Sequence, residues 1–340
     1  MNWFQQLTGL EQESEASVRQ HLFVCDGVLR SKVNGASHAY GHLEVVALGE
    51  LRRRVADLRL SKDSVESSRR IVIKETVADV QDLHKDTQNQ NAIFQVASQF
   101  NLLEMVGPSV VPEAGVGIYE RDFTQGPACA IAAGAATIYR NYFVEHDGKI
   151  GQTSTRQIDT LKDLGELLGN KDERLWRMRN GYALASASGL AEIAAQLASA
   201  SDRELDGLRD ALRIGLQWEV EVTLSGCGNR VTQAFCSALP VAYSPHESSE
   251  WEAFARLVLE ASYEAVFCSA ILNRVKTGSG KVFLTLLGGG AFGNEFEWII
   301  SAIERALKKY QFFDLEIEIV SYKNSRPDVA GLVRRWAVAS

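Results

Sequence analysis

The stretch 282–294, VFLTLLGGGAFGN, leads without a break into EFEWIISAIERALKKY and constrains the chain more than any other segment. Val282, Phe283, Leu284, Leu286 and Leu287 read as a strand that stops at three glycines. Phe296, Ile299, Ile300, Ile303 and Leu307 then recur at the spacing of one helix face. Strand, glycine loop and helix in that order belong to α/β folds, where bare N–H groups at a helix start can hold a phosphate. Glycine suits such a loop because, without Cβ, its backbone approaches an anion closely and takes positive φ freely. An ordinary βα turn of small residues looks the same, so the loop alone marks only an anion-binding candidate.

Short strands alternating with helical patterns along the chain predict a sheet covered by helices. Strands are expected at 21–25, 70–75, 92–97 and 315–320, and at 218–224, where WEVEVTL alternates apolar and polar residues. Helices are expected at 43–58, 127–142, 188–197 and 250–272, and another starts at Ser201, with Glu204 completing a capping box. The polar stretch 145–180 reads as an insertion with one short helix near 158–168. With only 6 prolines and no low-complexity tract, one continuous body is favoured, residues 1–65 forming an N-terminal extension packed on a core of 66–340.

A net charge of −7 argues against a nucleic-acid partner, because neutralising phosphates takes clustered Lys and Arg. No apolar run is long enough to span a bilayer, and the N-terminus lacks the order of a signal peptide. Cys25, Cys129, Cys227, Cys236 and Cys268 form no CxxC pair, which suits a reduced, cytosolic-type protein without a zinc site. Delivery into a host cytosol without a classical signal fits equally. TGSGK at 277–281 is not a P-loop, since Val282 replaces the Ser/Thr and a strand follows where a helix is required.

Three segments share one resemblance. IVIKETVADVQDL (71–83) with NAIFQVASQFNLLEM (91–105), the glycine loop, and the acidic stretch ending in Y-x-x-D-x-TQGPACA (119–130) resemble a macrodomain, the ADP-ribose-binding module. Within that family the likeness is to the branch containing a Legionella effector that removes ADP-ribose from arginine, including on ubiquitin. It covers roughly residues 70–322 and implies a three-layer α/β/α mixed sheet. It further implies Asp79 reading the adenine amino group and Asn101 meeting the distal ribose, though Ala-Asp-Val stands here for the family's Gly-Asp-Ile. Gly288, Gly289, Gly290, Ala291, Phe292, Gly293 and Asn294 would wrap the diphosphate, and the backbone of Gln125 and Gly126 would add N–H groups.

The acids Glu104, Glu113, Glu120 and Asp122 follow the proposed ribose loop. Hydrolysing an N-glycosidic bond passes through an oxocarbenium-like state that carboxylates stabilise while activating water. The resemblance implies Asp122 as the main catalytic acid, with Glu113 and Glu104 assisting. Carried over, it describes an ADP-ribosylhydrolase, arginine-linked substrates preferred, whose partners are ADP-ribose and ADP-ribosylated protein, ubiquitin among them, with no cofactor and no metal. A non-catalytic ADP-ribose reader is the alternative; it would need the glycine cradle and Asp79 but no clustered carboxylates.

Overall fold

The computed structural model describes residues 2–60 and 70–339. The boundary expected at 65/66 lies outside the described residues. The central sheet has seven strands: β1 His42–Ala47, β2 Val72–Val77, β3 Ile93–Ala97, β4 Arg213–Glu221, β5 Arg230–Cys236, β6 Lys281–Leu284 and β7 Glu316–Ser321. Their order is β1-β4-β5-β3-β6-β7-β2. The run from β5 to β2 is parallel throughout, and β4 is antiparallel to both β5 and β1.

The principal helices are α1 Trp3–Thr8, α2 Leu48–Leu60, α3 Val80–Lys85, α4 Gln125–Ala132, α5 Ala187–Ser199, α6 Asp202–Ala211, α7 Ser248–Thr277, α8 Phe296–Lys309 and α9 Pro327–Ala339. One layer is built on α7, which packs against α2, α5, α6 and α8. The opposite layer carries α3 and α4. Alternation along β3 feeds both: Ile93 and Ala97 join the α7 side, Phe94 and Val96 the α3–α4 side. The three-layer α/β/α mixed sheet expected from the sequence is therefore the observed architecture.

Most expected elements stand within a few residues of their positions, and the Ser201–Glu204 capping box is made in both directions. Residues 43–58 are the main correction. They divide into edge strand β1 and helix α2, because β1 pairs with β4 through Leu43↔Gln217 and Val46↔Ile214. Of the alternating segment expected at 218–224, only residues 218–221 belong to the longer β4, which begins at Arg213 and is buried on both faces over Ile214–Gln217. A bulge between Gln217 and Val220, with Glu219 at φ 56, sends Trp218 to the α7 side and Val220 and Val222 to the other, and Leu224 opens a short 3-10 turn. The expected helix 127–142 is broken at Ala133, where φ −117 and ψ 58 leave helical space. A third apolar cluster joins Phe4, Leu10 and Val18 to Leu103, Met105, Val116, Tyr119 and Tyr142. It fixes the N-terminal segment against the acidic loop.

Candidate active site

Parallel strands tend to leave a crevice at their carboxyl ends, where loops diverge. Here the ends of β2, β7, β6 and β3 open into two adjoining cavities. The outer one, about 850 Å³, is lined by Ala78, Asp79, Ser321, Arg326, Gly289 and Gly290 among others. That volume lies in the usual range for small-molecule sites, roughly 300–1,000 Å³. The inner one, about 210 Å³, is lined by Ala97, Glu104, Gly126, Tyr182, Gly288 and Phe292 among others. Asp122, Thr124, Gln125, Thr285, Leu286 and Gly290 border both, so the two form one cleft.

The glycine loop forms the seam. β6 ends at Leu284, earlier than the apolar run suggests, because side chains take over its backbone partners. Thr285 N–H donates to Gln95 Oε1 (3.2 Å), the Tyr263 hydroxyl donates to Thr285 O (2.7 Å), and Leu287 N–H donates to the Tyr263 oxygen (2.9 Å). The chain then turns on itself before α8 begins at Phe296. Gly289, Gly293 and Asn294 spend their N–H groups within the loop, on Leu286, Gly290 and Gly288 carbonyls. Among the described residues, the N–H groups of Gly288, Gly290, Ala291 and Phe292 have no hydrogen-bond partner. A Cβ on Gly288 would stand 2.5 Å from Ala238 Cβ, whereas one on Gly290 would meet nothing within 4 Å. Gly290 therefore faces open cleft, and its loop N–H is available to a ligand there. Glu295 and Glu297 do not oppose an anion here. Glu295 accepts from the Ser248 hydroxyl, Glu297 pairs with Arg256, and neither lines the cleft.

Opposite the loop, α4 begins at Gln125 with no side-chain cap. The N–H groups of Gln125 and Gly126 have no partner among the described residues. The Gln125 side chain is committed elsewhere: Oε1 accepts from Ala97 N–H and Nε2 donates to Gln95 O. Gly126 is required by packing, since a Cβ there would lie 1.9 Å from Ala97 O.

At the outer end, Asp79 caps α3 through Oδ1, which accepts from Gln81 N–H (2.8 Å). Its exposed carboxylate still lines the cleft. Facing it, the Arg326 guanidinium lies 3.6 Å from the centre of the Phe296 ring. Glu75 braces that wall by accepting from the Ser321 and Ser325 hydroxyls and from Arg326 N–H. At the inner end Tyr182, Tyr243 and Phe292 form a triangle of rings with centroids 5.1–5.5 Å apart. Phe123, 90% exposed, stands on the rim of the outer cavity.

Glu104 is the most perturbed acid of the cleft. Its Oε1 pairs with Arg140 (3.3 Å), its Oε2 has no partner, and its side chain is 1% exposed. Burial pushes its carboxyl up to about 7, against the opposing pull of Arg140. The same burial pushes the Arg140 guanidinium down, although that group also stacks 3.8 Å over Phe235 and donates to Leu102 O and Gln217. Asp122 lies on the border of both cavities, and its Oδ1 accepts from Thr124 N–H (2.9 Å). Glu120 also lines the outer cavity.

Four residues named from the sequence do not reach the cleft. Asn101 is fully buried, its Nδ2 donating to Gln157 and its Oδ1 accepting from Leu103 N–H. Glu113 faces outward and holds Ser154 through backbone and hydroxyl. Gly293 packs against Ala242, and Asn294 turns inward to Leu239 O. The cleft instead recruits Trp3, Glu120, Phe123, Tyr182, Tyr243, Tyr322 and Arg326. Of these, Glu120 stands out in the sequence as one of the clustered acids, and the polar SYKNSR run at the end of β7 as a loop at the carboxyl end of a parallel strand. Among the described residues, no group of three or more His, Cys, Asp or Glu side chains could hold a metal ion.

No protein-family model matches the chain, and no curated protein matches it. Among solved structures it aligns with poly(ADP-ribose) glycohydrolase from Deinococcus radiodurans in complex with ADP-ribose, at 9% identity and a TM-score of 0.45, over 97% of this chain and 99% of that one. It also aligns with poly(ADP-ribose) glycohydrolase from Thermomonospora curvata bound to the inhibitor ADP-HPD, at 12% identity and a TM-score of 0.44, over 94% and 96%. A likeness at this level assigns no residue and no reaction to the chain.

Proposed function

We propose that the protein is an ADP-ribosylhydrolase that releases ADP-ribose from modified protein side chains, arginine-linked ones preferred. The observation that carries this reading is the polarity of the cleft. Unpartnered loop N–H groups face the start of α4 at its middle, an exposed acid lies at the outer end, and carboxylates gather toward the inner end. Such a gradient suits an elongated ligand with a hydrogen-bond donor at one end, a diphosphate in the middle and a bond to be cut at the other.

In this reading the diphosphate sits against Gly290, Ala291 and the N–H groups of Gln125 and Gly126, with adenine between Asp79 and the Arg326–Phe296 pair. The distal ribose then reaches Asp122 and Glu104. Asp122 orients the water that attacks C1″ as the C–N bond breaks. The departing nitrogen takes a proton, and Glu104, whose carboxyl is poised near neutrality, is the group suited to hold one. Glu120 and Asp122 add negative charge where a guanidinium would leave, which favours arginine. Ubiquitin, named from the sequence likeness, is one modified protein to test, and a cytosolic site of action accompanies it.

The experiment is incubation with proteins ADP-ribosylated on arginine or on acidic residues, followed by measurement of free ADP-ribose. Release that falls on Asp122→Asn and on Glu104→Gln supports the assignment; release that persists unchanged in both refutes it. A reader without turnover has one observation in its favour: Asp122 is tied to Thr124 N–H and Glu104 to Arg140. Binding of ADP-ribose with no release from any linkage would decide for the reader.

A further inference from the structure

Residues 2–18 reach the acidic loop through the carboxylate of Glu13. The Glu13 carboxylate accepts from Val116 N–H (2.7 Å), Gly117 N–H (2.7 Å) and the Tyr142 hydroxyl (2.8 Å). The fit is close: a Cβ on Gly115 or on Gly117 would lie 2.6 Å from the Glu13 carboxylate. Burial raises the Glu13 carboxyl, while those three donors favour its charged form. The anchored residues open directly into the single turn Gly117–Arg121. That turn holds the backbone of both candidate acids: the Tyr119 hydroxyl accepts from Glu104 N–H (3.1 Å), and Asp122 N–H donates to Tyr119 O (3.0 Å). The N-terminal segment also reaches the cleft itself. Trp3 lines the outer cavity, and its N–H donates to Glu120 Oε2 (3.1 Å). Phe4, Leu10 and Val18 bury against Val116 and Tyr119 on the far side of the same turn.

We propose that Glu13 is a positioning residue of the hydrolytic site. Acting through the turn Gly117–Arg121, its carboxylate sets where Asp122 and Glu104 stand against the ligand, so residues 2–18 belong to the site. This rests on the hydrolase reading above. Glu13 touches no ligand. Its effect falls on the geometry of the reacting end, while the glycine loop and Asp79 hold the rest of the nucleotide independently of it.

The test is Glu13→Gln in the full chain, which keeps the shape but turns an NH₂ group toward one of three donors. Three quantities are compared with wild type: ADP-ribose affinity, release at saturating substrate, and hydrogen–deuterium exchange. The expected result is faster exchange over 112–124 with 321–326 unchanged, and affinity within about threefold. Release should fall on the order of 10- to 100-fold, as an ångström-scale misplacement does. Wild-type release by the variant, or affinity and release falling together with the folded fraction, overturns the proposal. If wild type binds ADP-ribose but releases none, the hydrolase reading fails separately. Positioning is then read from ligand-induced protection of 112–124, expected in wild type and lost in the variant; equal protection overturns it. Wild type that binds no ADP-ribose overturns both.

Discussion

Replacing Glu104 by glutamine isolates the titration of one buried group. The amide keeps the volume and an oxygen for Arg140 Nη2, but it has no proton to lose. In the folded protein the Glu104 carboxyl is pushed up to about 7, and in the unfolded chain it lies near 4.5. Between those values the native state holds a proton that the unfolded state has released. The wild-type stability contributed by this group is therefore full below pH 4.5 and is lost as pH rises through 7. At about 1.4 kcal/mol per pKa unit, the loss between pH 4 and pH 8 is about 3 kcal/mol. Glu104→Gln escapes it, so its stability relative to wild type rises by that amount across the same interval. Burial moves both members of the pair against their attraction, Glu104 up and Arg140 down. Urea denaturation of both proteins from pH 4 to pH 8, with equal m values, reads the difference directly. Two profiles that stay parallel would refute the reasoning, since Glu104 would then titrate alike folded and unfolded.

On the far side of the sheet, Glu264 is a buried acid of the opposite kind. Arg52, Arg305 and Lys309 pair with it and the Tyr310 hydroxyl donates to it, holding its carboxyl down to about 2. Glu264→Ala strands those cations and should cost about 3–5 kcal/mol, lowering the thermal midpoint by on the order of 10 °C; a shift under 2 °C would contradict that role. Two glycines of the cleft separate binding from folding. Gly290→Val should leave the melting temperature nearly unchanged and weaken ADP-ribose, because its side chain enters open cleft. Gly126→Ala should destabilise by about 1–3 kcal/mol, because its methyl meets the Ala97 carbonyl. Calorimetric melts with and without ADP-ribose distinguish the two, and a reversed order would overturn the placement of both.

The layered fold was legible because local signals and tertiary packing agree over most of the chain. The capping box at Ser201 is an example, decided by neighbours within four residues. The segment HLEVVALGELRRRV reads as helix because its apolar residues suit a helix face throughout. Only pairing with β4, some 170 residues away, makes its first third a strand. The glycine loop could be found because its backbone requirement is written in residue type. Its true boundaries could not, since Gln95 and Tyr263 end the strand from distant segments. Closeness in sequence groups Glu113 with Asp122, and the family resemblance puts Asn101 at the ribose, but Glu113 holds Ser154 and Asn101 is buried against Gln157. Trp3, Tyr182 and Arg326 come together from three remote parts of the chain, and no local pattern announces that meeting.

The claim beneath all of this is that the cleft between the glycine loop and α4 holds ADP-ribose. Isothermal titration of ADP-ribose into the wild-type protein and into Gly290→Val tests it most directly. Wild type should show a single site with a dissociation constant of micromolar order, about −8 kcal/mol, and the variant a clear weakening. No measurable heat from wild type at millimolar ligand, or identical isotherms for the two proteins, would contradict it.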